Sequence, residues 1–139
     1  MRLGLMVGNW GQHALVDEVD PASDFRSSIT LIDVPSNRFC FNDGYHTAHH
    51  LNPRRHWRDH PVHFLQQKGA YVDGRALVFH NVDYLFITVK LLCKDYEGLA
   101  KCLVPIGEAQ CKMSFGERAA LLRRKTRAFS EEDIRRKFK

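Results

Sequence analysis

The chain has 139 residues, of which 44% are hydrophobic and 27% charged, with a formal net charge of +5. That is enough apolar material for one modest domain and excludes wholesale disorder. No stretch reaches the roughly 20 apolar residues that cross a bilayer, and the apolar start is too short for a secretory signal. The basic balance suits an anionic partner, a membrane surface or a nucleic acid, without choosing between them.

In chain order, residues 3–16 carry no proline and predict a helix. Residues 17–37 form a connector rich in Asp, Ser and Pro turn signals, with weak strand character over 28–32. Asn42-Asp43-Gly44 is a turn. A short helix is expected over 45–52, punctuated by Pro53, and another over 61–71, closed by Gly69, Asp73 and Gly74. Residues 82–102 predict one long helix or two, with Gly98 as the weak point, and Val104-Pro105-Ile106-Gly107 breaks the pattern. The tail, 114–139, is charged and helical, with capping-box patterns starting at Ser114 and Ser130. The expected fold is mainly α, with no extended sheet.

The compositional anomaly is histidine. There are eight, seven of them between His13 and His63. His46, His49 and His50 stand at i, i+3 and i+4, which brings them toward one face of a helix. Three neutral imidazoles presented together suit iron, zinc, copper or nickel. Asn9 and His13 are likewise i and i+4 on the first helix. His56, His60 and His63 follow the cluster and are expected on a solvated face. The four cysteines form no CxxC pair, so a thiolate zinc site is not indicated. Free thiols on a reducing cytosolic face are expected.

Asn9-Trp10-Gly11-Gln12-His13 and His46-Thr47-Ala48-His49-His50 together resemble the C-terminal part of the membrane-bound fatty acid desaturase family. The first resembles its Asn-x-x-x-His element, the second its third histidine box, His-x-x-His-His. Phe41 to Tyr45, Leu51-Asn52-Pro53, His56-Trp57 and Pro61 extend the likeness over residues 3–61. The resemblance implies a non-haem di-iron centre that activates dioxygen and removes hydrogens from an acyl chain. His13, His46, His49 and His50 would be iron ligands and Asn9 a weak or water-mediated one. It implies the C-terminal cytosolic part of a membrane-bound helical fold over 1–139. Residues 1–16 would end the last transmembrane helix, 17–61 hold the connector and third box, and 62–139 form a helical cytosolic tail.

The same resemblance implies an acyl lipid or acyl-CoA substrate, a cytochrome b5-type electron donor and a place on the cytosolic face of the endoplasmic reticulum membrane. The family's first two histidine boxes do not occur in this sequence. About half of a two-iron shell is therefore expected, in a polypeptide inactive alone, with Met1 an internal methionine or the start of a truncated gene product. The alternatives are a non-catalytic remnant and a small histidine-ligated zinc protein. Arg54, Arg55 and Arg58 suit either an anionic partner or a solvated face. The basic tail has few aromatic residues for base stacking, so a solvated amphipathic helix or a membrane-surface contact is expected there and a nucleic acid is not. Asp17, Glu18, Asp20 and Asp24 are expected mainly as loop and capping residues, with a supporting role behind the imidazoles as the alternative.

Overall fold

Residues 2–138 are described by a computed structural model. Met1 and Lys139, at the ends of the first and last expected segments, lie outside the described residues. Helix α1 (Arg2–His13) opens the chain. A short α2 (Asp24–Ser27) interrupts the connector, strand β1 (Ile29–Ile32) follows, and then α3 (Pro35–Phe39). The histidine run forms α4 (His46–Leu51). A 3-10 turn at Trp57–Asp59 leads into α5 (His60–Gln66) and α6 (Lys68–Asp73). Strand β2 (Leu77–His80), α7 (Tyr84–Leu92), α8 (Tyr96–Cys102) and β3 (Leu103–Val104) come next. Helices α9 (Gly107–Cys111), α10 (Phe115–Lys125) and α11 (Glu131–Lys137) complete the described chain.

The molecule is mainly α, as expected, around one small three-stranded sheet ordered β1-β2-β3. Strand β2 pairs parallel with β1, Ile29 opposite Leu77 through Ile32 opposite His80, and antiparallel with β3. Alternation sorts the side chains onto two faces. Ile29, Leu31, Leu77 and Phe79 join Leu15, Ile87, Leu99 and Leu122 in the larger core. Val78 and Ile32 join Phe64 and Tyr71 in a second, smaller one. Each fully buried large side chain contributes about 1.5–3 kcal/mol by leaving water. With both faces covered, β1 and β2 read as short continuous apolar runs, the pattern of buried parallel strands.

Three expectations need correction. The break in the 82–102 segment falls at Cys93–Asp95, not at Gly98, because Asp95 caps α8 by accepting from the Gly98 N–H at 2.8 Å. Strand β2 lay unread between two helical segments. His60 is buried, not solvated, at 4% exposure, since the 3-10 turn swings the start of α5 inward against α4. Both tail caps form, but the full box expected at each appears only at Ser114. Ser114 and Glu117 complete a capping box on α10, and the Ser130 hydroxyl accepts from the Asp133 N–H on α11.

Helices α1 and α7 lie side by side because Gly11 has no side chain. A Cβ there would stand 2.1 Å from Thr88 Oγ1 and 3.0 Å from the Tyr84 carbonyl oxygen. Thr88 Oγ1, in turn, lies 3.1 Å from the Val7 carbonyl. No helix among the described residues is long and apolar enough to cross a membrane.

The connector is anchored from the far end of the chain. Lys125, buried at the end of α10, donates to Asp17 Oδ2 at 2.9 Å and to the Arg26 carbonyl at 2.6 Å. Arg26 meets Asp17 Oδ1 at 3.2 Å, and the same oxygen accepts from the Val19 and Asp20 N–H groups. Burial opposes the charge on Asp17, yet these donors hold its carboxyl down to about 2. A depressed carboxyl stabilises the fold above its ordinary value near 3.8 and stops doing so as pH falls toward 2. Wild-type unfolding free energy is therefore expected to drop between about pH 4 and 2. Lys125→Met, which leaves the buried Asp17 carboxylate with Arg26 as its remaining ion-pair partner, is expected to cost about 1–3 kcal/mol at pH 7. Urea denaturation across this range checks both effects, and a flat wild-type profile with a neutral K125M contradicts them.

Candidate metal centre

The centre is assembled from the end of α1 and one face of α4. The turn before α4 is built on close contacts. Asn37 Nδ2 donates to the Leu31 carbonyl at 2.8 Å, its Oδ1 accepts from the Gly44 N–H at 3.0 Å, and Leu31 N–H donates to the Gly44 carbonyl at 2.7 Å. A Cβ on Gly44 would lie 2.2 Å from Asn37 Oδ1, so this position excludes a side chain. Phe41 and Asn42 just before it have φ of 54° and 52°, the left-handed region that is uncommon for residues other than glycine. Within α4, Thr47 Oγ1 is hydrogen-bonded to Ser28 Oγ at 2.8 Å, and Arg55 donates to the Ala48 carbonyl at 3.0 Å. The arginine thus satisfies an end carbonyl of the helix.

Helix α1 is registered against this turn by Asp43. Its Oδ2 accepts from Gln12 Nε2 at 3.1 Å and from the Tyr84 hydroxyl at 2.9 Å. Burial and the neighbouring carboxylate push the Tyr84 hydroxyl well up, which keeps it a donor. Gln12 precedes His13, so the same contact aims His13 at α4.

The result is a cluster of three imidazoles. His46 Nε2 lies 3.1 Å from His13 Nε2 and 3.1 Å from His50 Nε2. Ligand atoms of all three rings fall within 4.8 Å of one another. Imidazole nitrogens each about 2.1 Å from one ion and at right angles around it would be about 3.0 Å apart. The two contacts at 3.1 Å match the spacing around a shared transition-metal ion, and the third pair lies within 4.8 Å. Burial, with His50, His13 and His49 nearby, pushes His46 down to about 3. It is thus neutral at physiological pH, the form that ligates metals.

The hydrogen-bond arithmetic also favours a cation. His50 Nδ1 lies 3.1 Å from the Asp24 carboxylate, which puts the proton on Nδ1 and leaves Nε2 bare. His46 must then hold the proton of its contact with His50. It keeps no lone pair with which to accept from His13, and its buried Nδ1 has no partner. The rings satisfy one another only in part, whereas one cation accepts all three lone pairs.

His13, His46 and His50 are thus brought together as the sequence suggested. His49 is exposed and turned to one side, its ring 6.1 Å from that of His46 and 6.2 Å from that of His60. It lines a separate recess of about 720 Å3 with Cys40, Asp43, His60 and Tyr84. Asn9 is exposed one turn before His13. Asp24 is the residue that sequence reasoning left among the loop and capping groups. The signal for it was an acidic residue in a connector, with nothing to show which ring it would reach. His60 was missed too, and both its ring nitrogens are buried without a geometrically sound hydrogen bond.

The end of α1 and one face of α4 thus present three histidines that could hold a metal ion. A model of the fatty acid desaturase family matches residues 1–78, which takes in α1, the connector, β1, α4 and the start of β2. The chain belongs to the fatty acid desaturase family. No curated protein and no solved structure matches it.

Because the Gly44 turn sets the pose of α4, Gly44→Ala is expected to displace Asn37 and cost about 1–3 kcal/mol, the usual range for overpacking. Metal affinity should fall with it. Thermal unfolding and a Zn2+ titration of the variant check this, and unchanged values in both would mean the turn does not hold the helix.

Proposed function

We propose that the chain supplies half of the di-iron centre of a fatty acid desaturase-type oxidoreductase acting on an acyl lipid or acyl-CoA. The observation that carries this reading is the meeting of His13 from the Asn-x-x-x-His element with His46 and His50 of the third box, at 3.1 Å nitrogen contacts. The donor set fits iron: neutral imidazoles, no thiolate, and room for further ligands. His13, His46 and His50 would hold one ion. His49, turned toward its own recess, is left to face the second. When bound, the iron pair supplies dioxygen activation and hydrogen removal from an unactivated chain.

The protein's own groups do the positioning. Asp43 sets α1 against the box through Gln12 and Tyr84, Asn37 holds the turn, and Asp24 orients His50. With four histidines and Asn9 available, the chain holds one ion well and a second weakly, and it does not turn over alone. Electrons would come from a cytochrome b5-type donor. We also propose a setting on the cytosolic face of a membrane, as in the endoplasmic reticulum. Exposed Met6 and Trp10 on α1 and Leu85, Phe86, Val89 and Leu92 on α7 support that setting, because apolar groups clustered on two adjacent helices suit an apolar neighbour. The rival reading, a small zinc protein, draws on the same three rings, since three histidines with an open fourth position are also a zinc pattern.

Anaerobic titration of the purified chain with Fe2+, followed by metal analysis and an acyl-desaturation assay, separates these readings. One tightly held iron per chain is expected, without turnover. H13A, H46A and H50A should each weaken it at least tenfold, the lower end of what outer-shell partners alone are worth, while H49A should leave it in place. One zinc and no iron in the chain as isolated would favour the zinc protein. Two tight irons with turnover would overturn the half-centre.

A further inference from the structure

We propose that Asp24 is a positioning residue for the metal centre: its carboxylate fixes the tautomer and ring orientation of His50, so that Nε2 presents its lone pair to a bound cation. This rests on the reading of His13, His46 and His50 as ligands.

Asp24 Oδ1 lies 3.1 Å from His50 Nδ1, and the opposite ring nitrogen, Nε2, lies 3.1 Å from His46 Nε2. A neutral imidazole carries one proton, and the nitrogen that faces a carboxylate is the one that keeps it. The other nitrogen is then free to ligate. The backbone that carries Asp24 is itself held in place. The carbonyl of Asp24 accepts from the Ser28 hydroxyl, and that hydroxyl is also bonded to Thr47 on α4, one residue from His46. Two residues further along α2, Arg26 is bound to Asp17 and Lys125. Asp24 thus stands on a segment tied to α4 on one side and to α10 on the other.

The contrast within the cluster sharpens the assignment. His46 Nδ1 is buried without a partner, so no group behind that ring directs its Nε2 lone pair toward a cation. Among the described residues, Asp24 is the carboxylate hydrogen-bonded to one of the three imidazoles. A carboxylate behind a ligating histidine orients the ring and raises its basicity. Removing such a partner typically costs tenfold to a hundredfold in metal affinity. An ordinary surface ion pair would leave affinity unchanged.

The test uses the full chain with 15N-labelled histidine and no metal. Long-range nitrogen–proton spectra, assigned with H50Q, report which ring nitrogen of His50 carries the proton. Nδ1–H is expected in the wild type and in D24N, whose amide oxygen still accepts, and a mixture of tautomers is expected in D24A. Co2+ is then titrated into each protein. D24A should bind roughly 10- to 100-fold more weakly than wild type at an unchanged melting temperature, with D24N recovering most of the loss. A wild-type His50 protonated on Nε2 overturns the assignment without any variant, as does wild-type Co2+ affinity in D24A. Should the wild type bind no Co2+ while its His50 carries Nδ1–H, the ligand reading fails and the tautomer assignment stands.

Discussion

Three imidazoles with His46 Nε2 held 3.1 Å from both His13 Nε2 and His50 Nε2 form an arrangement that water-facing histidines have no reason to adopt. Rings this close repel when charged, and burial adds to that penalty at His46, which titrates far below its ordinary range. Neutral, they lack the protons and lone pairs to satisfy every contact. The fold nonetheless brings them together from two segments 33 residues apart. Much of the surrounding polar structure is explained by the need to keep them there.

The chain meets that need with a few strong, specific contacts. Gly11 lets α1 approach α7 closely enough for Thr88 to reach its backbone. Asp43 then ties the end of α1 and the start of α7 to the turn before the box. Gly44 and Asn37 fasten that turn to β1, and β1 is half of the parallel pair at the centre of the core. The tail contributes at a distance. Lys125 reaches back across the chain to Asp17 and holds the segment from which Asp24 projects. Burying a lysine is costly unless its partners are well placed, and here a carboxylate and a carbonyl are both supplied. The tail, read from sequence as a charged appendage, is a brace for the connector.

Much of this was legible in the residues, and the limits follow from range. His46 and His50 share a face because the helix repeats every 3.6 residues, and the i, i+4 spacing is local. His49, at i+3, falls on the other side of His46, and its ring turns to a different recess. The turn at Asn42-Asp43-Gly44 announced itself by composition. Strand β2 did not, because a four-residue apolar run fits a buried strand and a helix fragment equally well. Asp24 and His60 depend on contacts made across the fold: a supporting role for Asp24 stood only as the alternative to capping, and nothing in the sequence showed which ring it would reach. Membership of the fatty acid desaturase family accounts for the pairing of the two motifs, and the geometry gives that pairing a physical meaning.

The central claim is that the three rings share one metal ion. X-ray absorption at the metal edge of the iron-loaded chain addresses it most directly. Three imidazole nitrogens at about 2.0–2.2 Å, with the multiple scattering of ordered rings, is the predicted result. A shell of oxygen ligands without imidazole scattering would contradict it, and would reduce the cluster to three histidines packed together without a metal.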